Sequence, residues 1–196
     1  MNDHLHPAPV TNFIRAAVLS MGLFAVGVSH AQGSAGPAAD FWQTPTVAGF
    51  GKMHPLPDAG DQPQKAATYK IVFSLTKGDK PDKVNPSLDQ VARAVNLYAW
   101  AGVPPDHRKF VAVLHGDATA AALDNAHYRQ QFGVDNPDLQ IIRELRAAGV
   151  EIVVCGQAVA EHHFQYEWIA SNVTLVLSAM TTITILENQG YGLMPL

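Results

Sequence analysis

Residues 136–157, NPDLQIIRELRAAGVEIVVCGQ, hold a helix and a buried strand in direct succession. Asn136 and Pro137 make a helix start, the asparagine side chain capping free amides and the proline preset for the first turn. Leu139, Ile142, Leu145 and Ala148 then share one apolar face, and Gly149 stops the helix. The following VEIVVC (150–155) ends in a continuous apolar run, the texture of a strand covered on both faces.

The same texture recurs upstream. KFVAVLHG (109–116) reads as a second such strand and YKIVFSLT (69–76) as another, stopped at Lys77-Gly78-Asp79. Between them Leu88, Val91, Ala92, Val95 and Ala99 lie at helical spacing, and Gly102 with Pro104-Pro105 ends that helix. Asp117 is a candidate cap for a short helix through Leu123, and residues 124–135 (DNAHYRQQFGVD) read as a loop. Downstream, residues 158–170 read as a helix and NVTLVLS (172–178) as a strand. AMTTITILENQ (179–189) is divided: its β-branched residues argue for strand, its position for helix. Gly190 and a short strand at 191–194 close the chain's pattern. Strands and helices alternating at this spacing mean βαβ units and an α/β fold with a mainly parallel sheet of about five strands, covered on both faces.

The N-terminal part has a different texture. An uncharged run, AAVLSMGLFAVGV (16–28), follows Arg15 and ends in Ser29-His30-Ala31. It is too short to span a bilayer and has the small-x-small ending of a cleavage site. Residues 1–31 therefore read as a signal peptide cut after Ala31, which makes the product periplasmic or secreted, with no membrane association after cleavage; the alternative is an uncleaved membrane anchor. Residues 32–68 are an arm rich in proline and glycine, and residues 69–196 the domain. From Phe41 onward the arm holds Phe41, Trp42, Val47, Phe50 and Leu56, too apolar for a free tail. It is expected to lie across the domain or a neighbouring subunit, with a disordered tether as the alternative.

Charge excludes one class of partner. With 13 basic and 17 acidic residues the net charge is −4, and the basic residues are scattered, so no nucleic-acid footprint exists. One cysteine, Cys155, rules out a disulfide framework within the chain, so the core must supply the stability. A leftover thiol in an oxidising compartment is buried, used, or paired with another chain.

Ligands of open parallel sheets collect outside the carboxyl ends of the strands. Thr76 and Lys77, His115, Cys155 and Ser178 stand at the ends of the successive strands. His115-Gly116 and Cys155-Gly156 each put a glycine where a tight turn or a close ligand approach needs one. A thiol there faces the amides of the following helix, which favour the thiolate, the form that attacks sulfane sulfur and disulfides. His115 would add positive charge or shuttle a proton if the two strands are neighbours. The alternatives are a thiol acting as a small buried hydrophobe and a hydrogen-bonded turn histidine. His162-His163 are adjacent and make a poor metal pair, and His127 lies in the loop without a co-ligand. Lys77-Gly78-Asp79-Lys80 reads as a solvated turn. No phosphate loop, serine elbow or CxxC is present, and neither a cofactor nor a metal is expected.

The strand at 69–76, Asn85-Pro86, the helix ARAVNLYAWAGVPP, VAVLHGDAT, NPDLQIIRELRAAGVEIVVCGQAV and TLVLSAMTTITILENQGY together resemble the DsrE/DsrF-like sulfur-relay family. GFGKMHPLPDA in the arm is similar to the leader of exported members. The resemblance implies a three-layer α/β/α sandwich and homo-oligomers, commonly trimers or hexamers, and turns the 179–189 segment into a helix. It also implies a cysteine that accepts sulfur as a persulfide and passes it on, a role that falls here on Cys155. His115, Gly116, Gly156, Gln157, Thr76, Lys77 and Ser178 would line that site, and a donor or acceptor protein or a small thiol would be the partner. Two other expectations stand beside it: a non-catalytic oligomeric binding module with a structural cysteine, and a disulfide between subunits.

Overall fold

A computed structural model of the chain describes residues 41–196. The signal peptide expected at 1–31 and the first part of the arm lie outside the described residues. In order, the elements are β1 (Tyr69–Leu75), α1 (Pro86–Trp100), β2 (Arg108–Leu114), α2 (Asn125–Phe132), α3 (Asp138–Ala147), β3 (Glu151–Cys155), α4 (Gly156–Glu161), β4 (Thr174–Val176), α5 (Ala179–Asn188) and β5 (Gly192–Pro195). Segments of 3-10 helix at Pro105–His107, Gly116–Ala122 and Tyr166–Trp168 join some of them.

The five strands form one sheet in the order β4-β3-β2-β1-β5, and every pair is parallel. Alternation along each strand sorts the side chains. Ile71, Phe73, Leu75, Phe110, Ala112, Leu114, Ile152 and Val154 meet α1 through Leu88, Val91 and Val95, and α3 through Ile141, Ile142 and Leu145. Val72, Val111, Val113, Val153 and Cys155 meet α5 through Ala179, Ile183 and Leu186. The topology explains this division. From β1 to β4 the chain steps one way across the sheet, and right-handed crossovers keep α1 and α3 on one face; the return from β4 to the far edge carries α5 over the other. The α/β fold expected from the sequence is the one found.

Several boundaries differ from expectation. The loop expected at 124–135 contains α2: the Asp124 carboxylate accepts the His127 amide, and Gly133 ends the helix in the left-handed region at φ 78°. Its sequence, NAHYRQQF, offers only Tyr128 and Phe132 at helical spacing, too short an apolar period to announce a helix. The short helix expected after Asp117 is a 3-10 turn. The helix expected at 158–170 begins earlier and stops at Glu161, because His163 takes a positive φ of 57°. The strand expected at 172–178 keeps only three residues, since Ser178 leaves it to cap α5 with its hydroxyl. The divided segment 179–189 is helical.

The arm packs on α1 of its own chain. Asn96, on α1, is fully buried: its carbonyl oxygen accepts the amides of Thr46 and Val47 at 2.9 Å each. Its Nδ2 donates to the carbonyls of Phe50 and Gly51 at 3.0 Å each. The Gly51 amide donates to Asp89 Oδ1 at 2.7 Å. Val47 and Met53 enter the interior, while Gln43 and Met53 exchange backbone hydrogen bonds and His54 stacks on Phe41.

Candidate functional site

β2 and β3 are neighbours, and their last register pair is Leu114 with Val154. One residue further, just past this last register pair, His115 and Cys155 stand at adjacent strand ends. His115 is still extended, at φ −156°. Its Nε2 shares a 2.8 Å hydrogen bond with the hydroxyl of Ser74, the β1 residue that follows Val72 on the same face. Ser74, His115 and Cys155 thus gather at one corner, on the face covered by α5. Ser74 escaped the sequence reading. Its signal was parity: Val72 and Ser74 are two residues apart and share a face.

Burial sets the chemistry of the corner. His115 has its pKa pushed below the usual histidine range by desolvation, so at neutral pH the imidazole is uncharged. It is suited to moving a proton, and it does not supply the standing positive charge considered from the sequence. Cys155 is only 5 % exposed, among Val153, Ala158 and Ala179. It occupies the N-cap of α4, yet its side chain makes no capping hydrogen bond, so the expected direct contact with helix amides is absent.

The remaining expected site residues divide. Gln157 is exposed, and its Nε2 donates to the Leu177 carbonyl at 3.2 Å. With Gly156, Tyr166, Leu175, Val176 and Leu177 it lines a cleft of about 220 Å³; Cys155 does not line it. Ser178 is buried and its hydroxyl is engaged by the Met180 amide. Thr76 and Lys77 are exposed, and their carbonyls accept from the Ala118 amide and from Asn85 Nδ2. Gly116 and Gly156 both serve close approach, but to backbone. A Cβ would stand 3.1 Å from the Thr76 carbonyl oxygen at Gly116 and 2.9 Å from that of Val176 at Gly156. Among the described residues no three His, Cys, Asp or Glu side chains cluster as a metal site would.

A family model described as "DsrE/DsrF-like family" matches residues 69–196, the whole sheet and its helices. The chain belongs to the DsrE/DsrF-like family. Membership is consistent with a role in sulfur relay. A solved structure entitled "Structure of Protein of Unknown Function MTH1491 from Methanobacterium thermoautotrophicum" is similar, with TM-score 0.48 and 16 % identity. The likeness covers 65 % of this chain and 99 % of that one. No curated protein matches. Within this DsrE/DsrF-like domain the only cysteine of the chain ends β3, beside the His115–Ser74 pair.

Proposed function

We propose that this chain is exported and carries sulfane sulfur on Cys155 as a persulfide. What supports the reading most is the position of the chain's single thiol, at the strand end next to the uncharged, hydrogen-bonded His115. In the uptake step His115 takes the thiol proton, and the thiolate attacks the outer sulfur of a persulfide donor. A new S–S bond forms, the donor's S–S bond breaks, and the donor leaves as a thiol carrying the proton, with no net redox change. With one cysteine per chain, release requires a thiol from an acceptor protein or a small molecule. Because Cys155 is buried, the packing around it must open for the donor to reach it.

The test is intact mass after incubation with a small persulfide donor. The wild type gains one sulfur atom and Cys155→Ser gains none, while His115→Gln slows uptake by a factor of about 100 or more, the usual scale of lost proton transfer. No mass gain, together with a thiol that resists iodoacetamide in the folded protein, overturns the reading.

The burial of Cys155 among apolar side chains favours a second reading, an oligomeric ligand-binding module in which the thiol is core. Under it Cys155→Ser retains bound ligand. Both readings include self-association. Residues 168–186 contain no charged residue or histidine, yet Leu177 and Met180 are 72 % and 78 % exposed, and β4 is a sheet edge. Sedimentation should show an oligomer that Met180→Glu breaks into monomers, because apolar surface of this kind is covered in assemblies. A wild-type monomer at tens of micromolar would remove self-association.

A further inference from the structure

On the opposite side of the sheet from Cys155, a cavity of about 540 Å³ lies between the 77–85 loop, the Gly116–Ala122 turn and α2. Its volume falls within the range of small-ligand sites. Its inner part is Asp138, the first residue of α3, which is 4 % exposed. Asp138 Oδ1 accepts the Asn85 amide at 2.7 Å; among the described residues no donor reaches Oδ2. A buried carboxylate with no cationic partner is costly unless something compensates it.

The charges around it do not. Asp79 and Asp117 on the rim are matched in number by Lys80 and Lys83, all four exposed, and Lys83 is 3.6 Å from Asp82 outside. His162 Nε2 is engaged by the Gly116 carbonyl at 2.9 Å. The Tyr128 hydroxyl donates to the Pro81 carbonyl, and burial with the charges of Asp138 and Asp82 pushes its pKa up to about 12, so it stays protonated. With Lys83 beside Asp82, the rim lysines are outnumbered by the rim carboxylates, and Asp138 is left as an uncompensated negative charge. Beside it, the rings of Tyr128 and Phe132 meet at 4.5 Å and Phe164 completes an aromatic wall. One carboxylate with an aromatic wall is complementary to an organic monocation.

We propose that this cavity binds a small primary amine with an apolar body, its ammonium on Asp138 Oδ2 and its body against Tyr128, Phe132 and Phe164. The site is independent of Cys155, and the turn 77–80, which reads as solvated in the sequence, is its rim. Burial and the nearby Asp79 push the Asp138 pKa up to about 6, against the opposing hydrogen bond from Asn85, so the anchor ionises near neutrality.

The experiment titrates benzylamine and its neutral analogue benzyl alcohol into the full chain, followed by amide NMR. Benzylamine should saturate shifts in residues 79–85 and 128–138 at pH 7. Its affinity should fall about tenfold by pH 5, as the ionised fraction of a group with pKa near 6 falls. Benzyl alcohol should bind more weakly and without that pH dependence. Asp138→Asn should erase the preference for the amine, whereas His162→Gln should leave both the preference and its pH dependence intact. Four results overturn the proposal: no saturable shift, equal binding of the alcohol, a preference that survives Asp138→Asn, or a pH dependence that vanishes with His162→Gln.

Discussion

Gly51→Ala should strip the arm from the domain. A Cβ at position 51 would stand 2.1 Å from the Arg93 amide nitrogen and 2.3 Å from the Ala92 carbonyl carbon, both helix backbone that cannot give way. The φ of +61° adds strain for any residue with a side chain. The arm then has no docked conformation and loses the burial of Val47 and Met53 with the hydrogen bonds to Asn96 and Asp89. Losing two buried apolar side chains, at about 1.5–3 kcal/mol each, costs about 3–6 kcal/mol, with the hydrogen-bond contribution offset by the ordering of the arm. For a chain of this size that lowers the melting temperature by about 10 °C. Trypsin should cut faster after the exposed Lys52. Asn96→Leu should give the same outcome, and the double variant should be no worse than the poorer single one, because both remove one docking event. Unchanged melting and unchanged tryptic protection in Gly51→Ala would show that the arm contributes nothing.

Asp138→Asn should stabilise the protein at alkaline pH and leave it unchanged in acid. The carboxyl pKa is pushed up to about 6 by desolvation and then by Asp79, from an ordinary 3.8. A raised folded pKa means that the native state binds the proton more tightly than the unfolded chain. Its favourable contribution is complete below the unfolded value and is lost as pH rises through the folded one. Above pH 7 the ionised Asp138 therefore costs about 3 kcal/mol, about two pK units at 1.36 kcal/mol each. Asparagine keeps an oxygen for the Asn85 amide without the charge. Urea midpoints at pH 8 should rise by the equivalent of about 2–3 kcal/mol, and the two proteins should coincide near pH 3.5. The same difference at both pH values would show that shape, not ionisation, is the cause. A domain that retains such a cost at neutral pH holds that carboxylate for something other than stability.

The corner around Cys155 was partly legible. The run IVVC before Gly156 marked a buried strand end, whereas only the sheet order made β2 and β3 neighbours and set His115 and Cys155 on adjacent strand ends. The partner of His115 was hidden because Ser74 sits in a strand whose own pattern is complete without it. Asp138 was hidden for another reason: an acid in the first turn of a helix is ordinary in sequence, and only the packing of the 77–85 loop over it makes it a buried charge.

The division runs along the range of the forces. Local and periodic signals sufficed for the strands and main helices, for the parallel α/β class, and for the strand ends that carry His115 and Cys155, because apolar spacing and caps act within a few residues. The docking of the arm through Asn96, the sealing of Cys155 beneath α5, and the cavity around Asp138 are matters of tertiary structure. Each joins segments 40 or more residues apart in four of the contacts that define them, Thr46–Asn96, Val47–Asn96, Ser74–His115 and Asn85–Asp138. No local pattern records such pairs; burial and charge at those sites exist only once the sheet has brought them together.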